Sequence, residues 1–386
     1  MTTAHTVAVL GLGRMGGAMA ARLAAEGHTV TGWTRSGRPV PGVVSASGPA
    51  AAVARADLVL LALFDGAACH QVLDALHGEL PPGAPVLNTA TVAPAEAAGL
   101  ARRVGRSYVH APVLGSVPAA ASGTLRILAA GEEDALARAR PVLDALGTVH
   151  HAADACTAAA LKLVANAALA GAVLTLGTCL RQSDALGLPR EQVLDVLERG
   201  QLGGLTARKR AFLGGGPAPA TADFTLAALT KDMDLLAAAS GLPLPEASAL
   251  AAVPADPGAD VAAAATAPAP DEAVLVPLRA YARGHATGDP AHFRTAFLST
   301  ARVEGMRDGA FVSWTLDDYC ALFPGSPAPD EASRTRRVDA VDVHGSTATA
   351  RMTLVHGPDR FTDVFLLVRT GGGWRIAGKT YHRHAS

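Results

Sequence analysis

The chain has 386 residues, enough for two or three domains that each bury a core of their own. Thirty-three Lys and Arg against thirty-four Asp and Glu give a formal charge of −1, without the basic excess that a nucleic acid or an anionic membrane would draw on. Four scattered cysteines (Cys69, Cys156, Cys179, Cys320) form no CxxC pair and thirteen histidines form no HExxH, so neither a disulfide framework nor a metal site is expected.

Thr6 to Leu10 reads as a short strand, and the stretch after it has helical periodicity up to a glycine that can cap it. Between them stands Gly11-Leu12-Gly13-Arg14-Met15-Gly16. Glycines at that spacing allow a tight turn, close approach of a pyrophosphate and close helix–strand packing, while the helix N-terminus offers N–H groups to phosphate. GxGxxG alone is weak; its place between strand and helix makes it a dinucleotide site. No basic region followed by a long apolar run opens the chain, so a reduced, cytoplasmic protein is expected.

The strand Thr29 to Thr34 runs into Thr34-Arg35-Ser36, with Arg38 beyond and no acid to hold a ribose 2′-hydroxyl. Arginine can hold a 2′-phosphate bidentately, so NADP(H) is expected rather than NAD(H). Strand and helix signals then alternate as far as His151, as in a mostly parallel sheet covered by helices.

Ala153 to Asp184 is the longest apolar run, interrupted by Lys162 and Asn166. Those two residues, Gly171, Gly177, the many alanines and the lack of a flanking basic cluster argue against a membrane span. A soluble helix apolar all round is expected to be buried all round. Lys162 and Asn166, four apart, then share one helical face, and a buried lysine is costly unless something uses or pairs it. Helical signals continue to about Ala265. Pro254 to Pro257 and Ala262 to Pro270 read as a linker, followed by two amphipathic helices and four alternating strands, Arg336–Val343, Ala348–Val355, Thr362–Val368 and Trp374–Thr380.

The motifs VAVLGLGRMGGAMAARL, WTRS, NTATVAP around Thr91, APVLGSVPAAASGTL, the Lys162/Asn166 pair and Phe224 with Lys231-Asp232 together resemble the β-hydroxyacid dehydrogenase family (3-hydroxyisobutyrate dehydrogenase and glyoxylate reductase-like) over about Val7 to Ala265. Asp271 to His384 is similar to nuclear-transport-factor-2-like (SnoaL-like, lumazine-binding-type) domains. The resemblance implies an α/β Rossmann domain plus an all-α domain, followed by a small α+β cone-shaped domain. Its divisions would be residues 1–152 for NADP binding, 153–265 for substrate and dimerisation, a linker at 266–270, and 271–386.

Under that resemblance, Gly11, Leu12, Gly13, Arg14, Met15, Gly16, Thr34, Arg35, Ser36, Leu63, Thr91 and Lys231 bind the cofactor. Leu114, Gly115 and Ser116 form the substrate loop, and Lys162 and Asn166 are catalytic, Lys162 as the proton donor to a carbonyl oxygen. The family's loop usually has serine where this chain has Leu114, which cannot donate to a substrate carboxylate. The implied protein is a homodimer or higher homo-oligomer acting on a small carbonyl or hydroxy substrate. Tyr281, His285, Trp314, Tyr319, Lys379 and His382 are pocket candidates in the last domain, set against a reading as core aromatics and surface histidines. An imine reductase-like enzyme, a non-catalytic NADP-binding relic and a second enzyme in the C-terminal domain are the competing functions.

Overall fold

The computed structural model describes residues 4–76, 78–219, 221–268, 272–307 and 309–384. The chain divides into two compact units, Met1–Ala267 and Pro268–Ser386. Residues 269–271, the end of the expected linker and the start of the last domain, lie outside the described residues.

In the first unit the described residues form a nine-stranded sheet: β1 (Thr6–Leu10), β2 (Thr29–Trp33), β3 (Val44–Ser45), β4 (Leu58–Leu61), β5 (Val86–Asn88), β6 (Tyr108–His110), β7 (Val113–Leu114), β8 (Leu125–Gly131) and β9 (Gly147–His151). Its order is β3-β2-β1-β4-β5-β6-β8-β7, with β9 beside β8. From β3 to β6 all neighbours are parallel, and β8 runs antiparallel to both β6 and β7. Leu58–Leu61 are all buried, because helices cover both faces of a parallel sheet. After β1 the chain builds outward through β2 and β3, then crosses back to β4 on the other side. That switch opens a crevice at the carboxyl ends of β1 and β4.

The long helix, Ala155–Ala185, starts where the Asp154 side chain accepts the Thr157 N–H at 2.7 Å. It stops at Gly187, whose φ of 68° turns the chain before Pro189. Contrary to expectation it is not buried all round: Leu161 is 47% and Val164 58% exposed. Its other side packs through Ala170, Val173, Leu176 and Leu180 into the helical core. In the Ala/Pro-rich stretch that begins at Ala262, both Ala264 and Ala265 are buried in that core and Ala262 is buried too, so these residues belong to the helical half. Gly177 makes this contact possible, because a Cβ there would lie 3.0 Å from the Ala265 Cα.

The second unit has a six-stranded sheet, β10 (Phe297–Arg307), β11 (Ala310–Thr315), β12 (Thr335–His344), β13 (Thr347–His356), β14 (Asp359–Thr370) and β15 (Gly373–His384), in the order β11-β10-β15-β14-β13-β12. Register shifts within β12–β13 and β14–β15 bend the sheet. The helices Leu275–Thr287, Ala291–Ala296 and Leu316–Cys320 contribute Tyr281, Phe293 and Tyr319 to a core shared with Phe365 and Ile376 of the sheet. β10 and β11 were not expected, because half-exposed and polar positions in both leave only a weak alternation.

Candidate active site

The Gly11–Gly16 turn lies at the switch point, and its glycines have separable reasons. Gly11 has φ 105°, and a Cβ there would meet the Ala62 carbonyl oxygen at 2.4 Å. A Cβ on Gly16 would meet the Gly11 carbonyl oxygen at 1.9 Å. Gly13 is different: a Cβ would find nothing within 4 Å, so its face is open to a ligand. It is also the N-cap of Arg14–Ala25 and gives that helix no side-chain cap, which leaves the first N–H groups free to meet a pyrophosphate. These residues fit a dinucleotide. Leu12 turns its side chain inward instead and is 4% exposed, so only its backbone can serve a ligand.

The same crevice widens into a cleft of about 910 Å³. Gly13, Arg14, Met15, Gly16, Leu63, Thr91, Leu114, Gly115, Ser116, Lys162, Asn166 and Lys231 all line it. Arg35 and Ser36 are exposed in the turn after β2 and, with Thr34, are not among the lining residues; Arg38 is. Gly115, φ 135°, holds the substrate loop close to β8, since a Cβ there would lie 2.8 Å from Leu125 Cδ2.

At the centre is a chain of hydrogen bonds. Lys162 Nζ donates to Asn166 Oδ1 at 3.0 Å, and Asn166 Nδ2 donates to Asp232 Oδ2 at 2.6 Å. A carboxylate only accepts, so Asp232 fixes which end of the amide faces Lys162. Lys231 Nζ lies 2.7 Å from Asp232 Oδ1 and donates to the Thr91 carbonyl at 2.9 Å. The Leu226–Ser240 helix, capped by the Thr225 hydroxyl, carries Lys231 and Asp232 to the long helix. Burial pushes the Lys162 ammonium down to about 8; Asp232 opposes this and Lys231 adds to it. A lysine that titrates near neutrality can both give and take a proton. In sequence Asp232 signals only a motif with Lys231; its bond to Asn166 comes from the fold. Phe64, beneath Lys231 Nζ at 5.4 Å from the ring centre, carried no signal, because one exposed phenylalanine in a loop is unremarkable in sequence.

In the second unit four of the six pocket candidates meet. Lys379 Nζ donates to the Tyr281 hydroxyl at 2.6 Å and pairs with Asp363 Oδ2 at 2.8 Å, while Tyr281 donates to that carboxylate at 2.5 Å. His285 Nε2 lies 2.8 Å from the Tyr319 hydroxyl. Trp314 instead stacks on Tyr381, and His382 is exposed.

A family model described as the NAD binding domain of 6-phosphogluconate dehydrogenase matches residues 6–160, and a lumazine-binding model matches residues 269–382. An NAD-dependent L-serine dehydrogenase of Pseudomonas aeruginosa is 32% identical over 207 residues, which span 50% of this chain and 69% of that protein. The chain belongs to the β-hydroxyacid dehydrogenase family. A solved 3-hydroxyisobutyrate dehydrogenase of Mycobacterium tuberculosis with L-serine is 26% identical, covers 68% of this chain and 99% of its own, and superposes with a TM-score of 0.59. A 3-hydroxyisobutyrate dehydrogenase of Pseudomonas aeruginosa is 33% identical over 201 residues, 49% of this chain and 65% of that protein. As a member of this family the chain is an NAD(P)-dependent oxidoreductase, fused to a lumazine-binding-type unit.

Proposed function

We propose that the protein is an NADP(H)-dependent dehydrogenase or reductase that interconverts a carbonyl and a hydroxyl group on a small or medium-sized substrate. The carrying observation is the Lys162–Asn166–Asp232 chain in the cleft that the glycine turn opens into. A bound nicotinamide would supply or take the hydride. In reduction Lys162 Nζ hydrogen-bonds the substrate oxygen and gives it a proton as charge develops there; in oxidation the neutral amine takes that proton back. Asn166 holds the ammonium by its carbonyl, and Asp232 holds Asn166. Lys231, tied to Thr91, ties the helical half of the cleft to the cofactor half.

NADP(H) rather than NAD(H) is supported by Arg38 on the cleft wall, Arg35 close by and the absence of an acid from Trp33 to Arg38. Homo-oligomerisation belongs to the same reading, with the exposed Leu161 and Val164 as the surface a second copy covers. The test of function is NADPH oxidation against matched aldehydes, ketones, oxo-acids and imines. Turnover of carbonyls above background supports the proposal. Tight NADPH binding with no turnover on any of them would make the unit a relic, and turnover confined to imines would make it an imine reductase.

A further inference from the structure

Leu114 removes the hydroxyl that the family's substrate loop usually offers to a carboxylate, yet the strand beside it supplies a stronger group. In the antiparallel pair of β7 and β8, Leu114 stands directly opposite Arg126. Directly opposed residues project from the same face of the ladder, and both line the cleft that holds Lys162 and Asn166. Arg126 is exposed, and among the described residues its side chain takes part in no hydrogen bond or ion pair. The two carboxylates on the cleft wall are engaged elsewhere, Asp223 with Lys209 at 2.9 Å and Asp232 with Lys231 at 2.7 Å. A guanidinium cannot lose its charge, and its flat fork matches a pair of anionic oxygens. Water meets the N–H groups of this exposed guanidinium, and an anion held in the cleft beside Leu114 can take its place.

We infer that Arg126 is the specificity-determining residue of the cleft and anchors a terminal oxyanion, carboxylate or phosphate, on the substrate whose hydroxyl or carbonyl oxygen meets Lys162. This rests on the oxidoreductase reading above but is tested by binding, without turnover. Leu114 then packs against the alkyl part of the substrate, and the anchoring role moves one strand over.

The experiment titrates the NADP⁺-loaded protein with 3-hydroxypropanoate, its uncharged amide and 2-hydroxyethyl phosphate, for the wild type, Arg126→Leu and Arg126→Lys. Expected for the wild type is binding of one of the two anions about ten- to a hundredfold tighter than of the amide, the usual range for a charge-assisted hydrogen bond; which anion wins tells carboxylate from phosphate. Arg126→Leu should erase that preference, and Arg126→Lys should keep only part of it. A wild type that binds acid, phosphate and amide alike overturns the inference, as does an Arg126→Leu variant that keeps the preference. Loss of NADP⁺ affinity in Arg126→Leu as large as the loss of anion affinity also overturns it, by assigning the arginine to the cofactor. None of these outcomes depends on whether hydride transfer occurs, so the failure of the oxidoreductase reading would be seen separately, in the NADPH-oxidation assay.

Discussion

Lys162 carries its charge into a partly buried place where that charge is only moderately stable, and this has a consequence in solution. Its ammonium titrates at about 8 because burial disfavours the charged form, with Asp232 limiting the drop. Reduction needs the protonated form, so kcat/KM for a carbonyl should be level below that pH and fall above it; oxidation of the alcohol should rise through the same range. A pH profile in both directions checks this, and parallel profiles would contradict it. Arg38 lines the cleft while Arg35 does not, which sets it where a 2′-phosphate would lie. Arg38→Ala should weaken NADPH about tenfold or more and leave NADH nearly unchanged, a loss in the range of one charge-assisted contact. Fluorescence titration with both cofactors decides it, and equal losses would remove the 2′-phosphate assignment.

Among the elements, the long helix depends on its start. Asp154 satisfies the Thr157 N–H that the first turn leaves open, and Asp154→Ala should lower stability, read as a drop in Tm with the fold intact. In the second unit the buried pair Lys379–Asp363 is 5% and 2% exposed. Asp363→Leu alone strands an ammonium and should cost about 3–5 kcal/mol in chemical denaturation, whereas Asp363→Leu with Lys379→Met should cost much less. Equal cost for the single and double variants would show that packing matters there and charge pairing does not. Elements of this kind were legible to different degrees. The glycine turn, the parallel strands and the long helix announced themselves, because continuous apolar runs and glycines at fixed spacing have few other uses. The two-residue strands β3 and β7 did not, because so short a run leaves no periodicity to read. β10 and β11 were hidden by their polar positions. Asp363 stayed invisible because an aspartate in an alternating strand reads as solvent-facing; only the fold brings it under Tyr281 and Lys379. Arg126 carries no signal for a different reason: it is exposed as an alternating strand predicts, and only its register with Leu114 sets it beside the substrate loop.

For the molecule as a whole, the chain falls into two compact units. The cleft is lined between Gly13 and Val261, all within the first unit, while the second has a core of its own from Val274 to Ile376. Residues 1–268 alone should therefore keep the kcat/KM of the full chain within a few-fold, checked by expressing that fragment and comparing turnover and mass in solution. A fragment that folds and binds NADPH but turns nothing over would mean that the second unit takes part in catalysis. The proposed chemistry turns on Lys162 supplying the proton at the substrate oxygen. Its most direct test is kcat/KM for the best carbonyl substrate in Lys162→Ala, with NADPH affinity measured on the same protein. The expected result is a loss of about 10²- to 10⁴-fold with NADPH binding retained. Near-normal kcat/KM in that variant would contradict it.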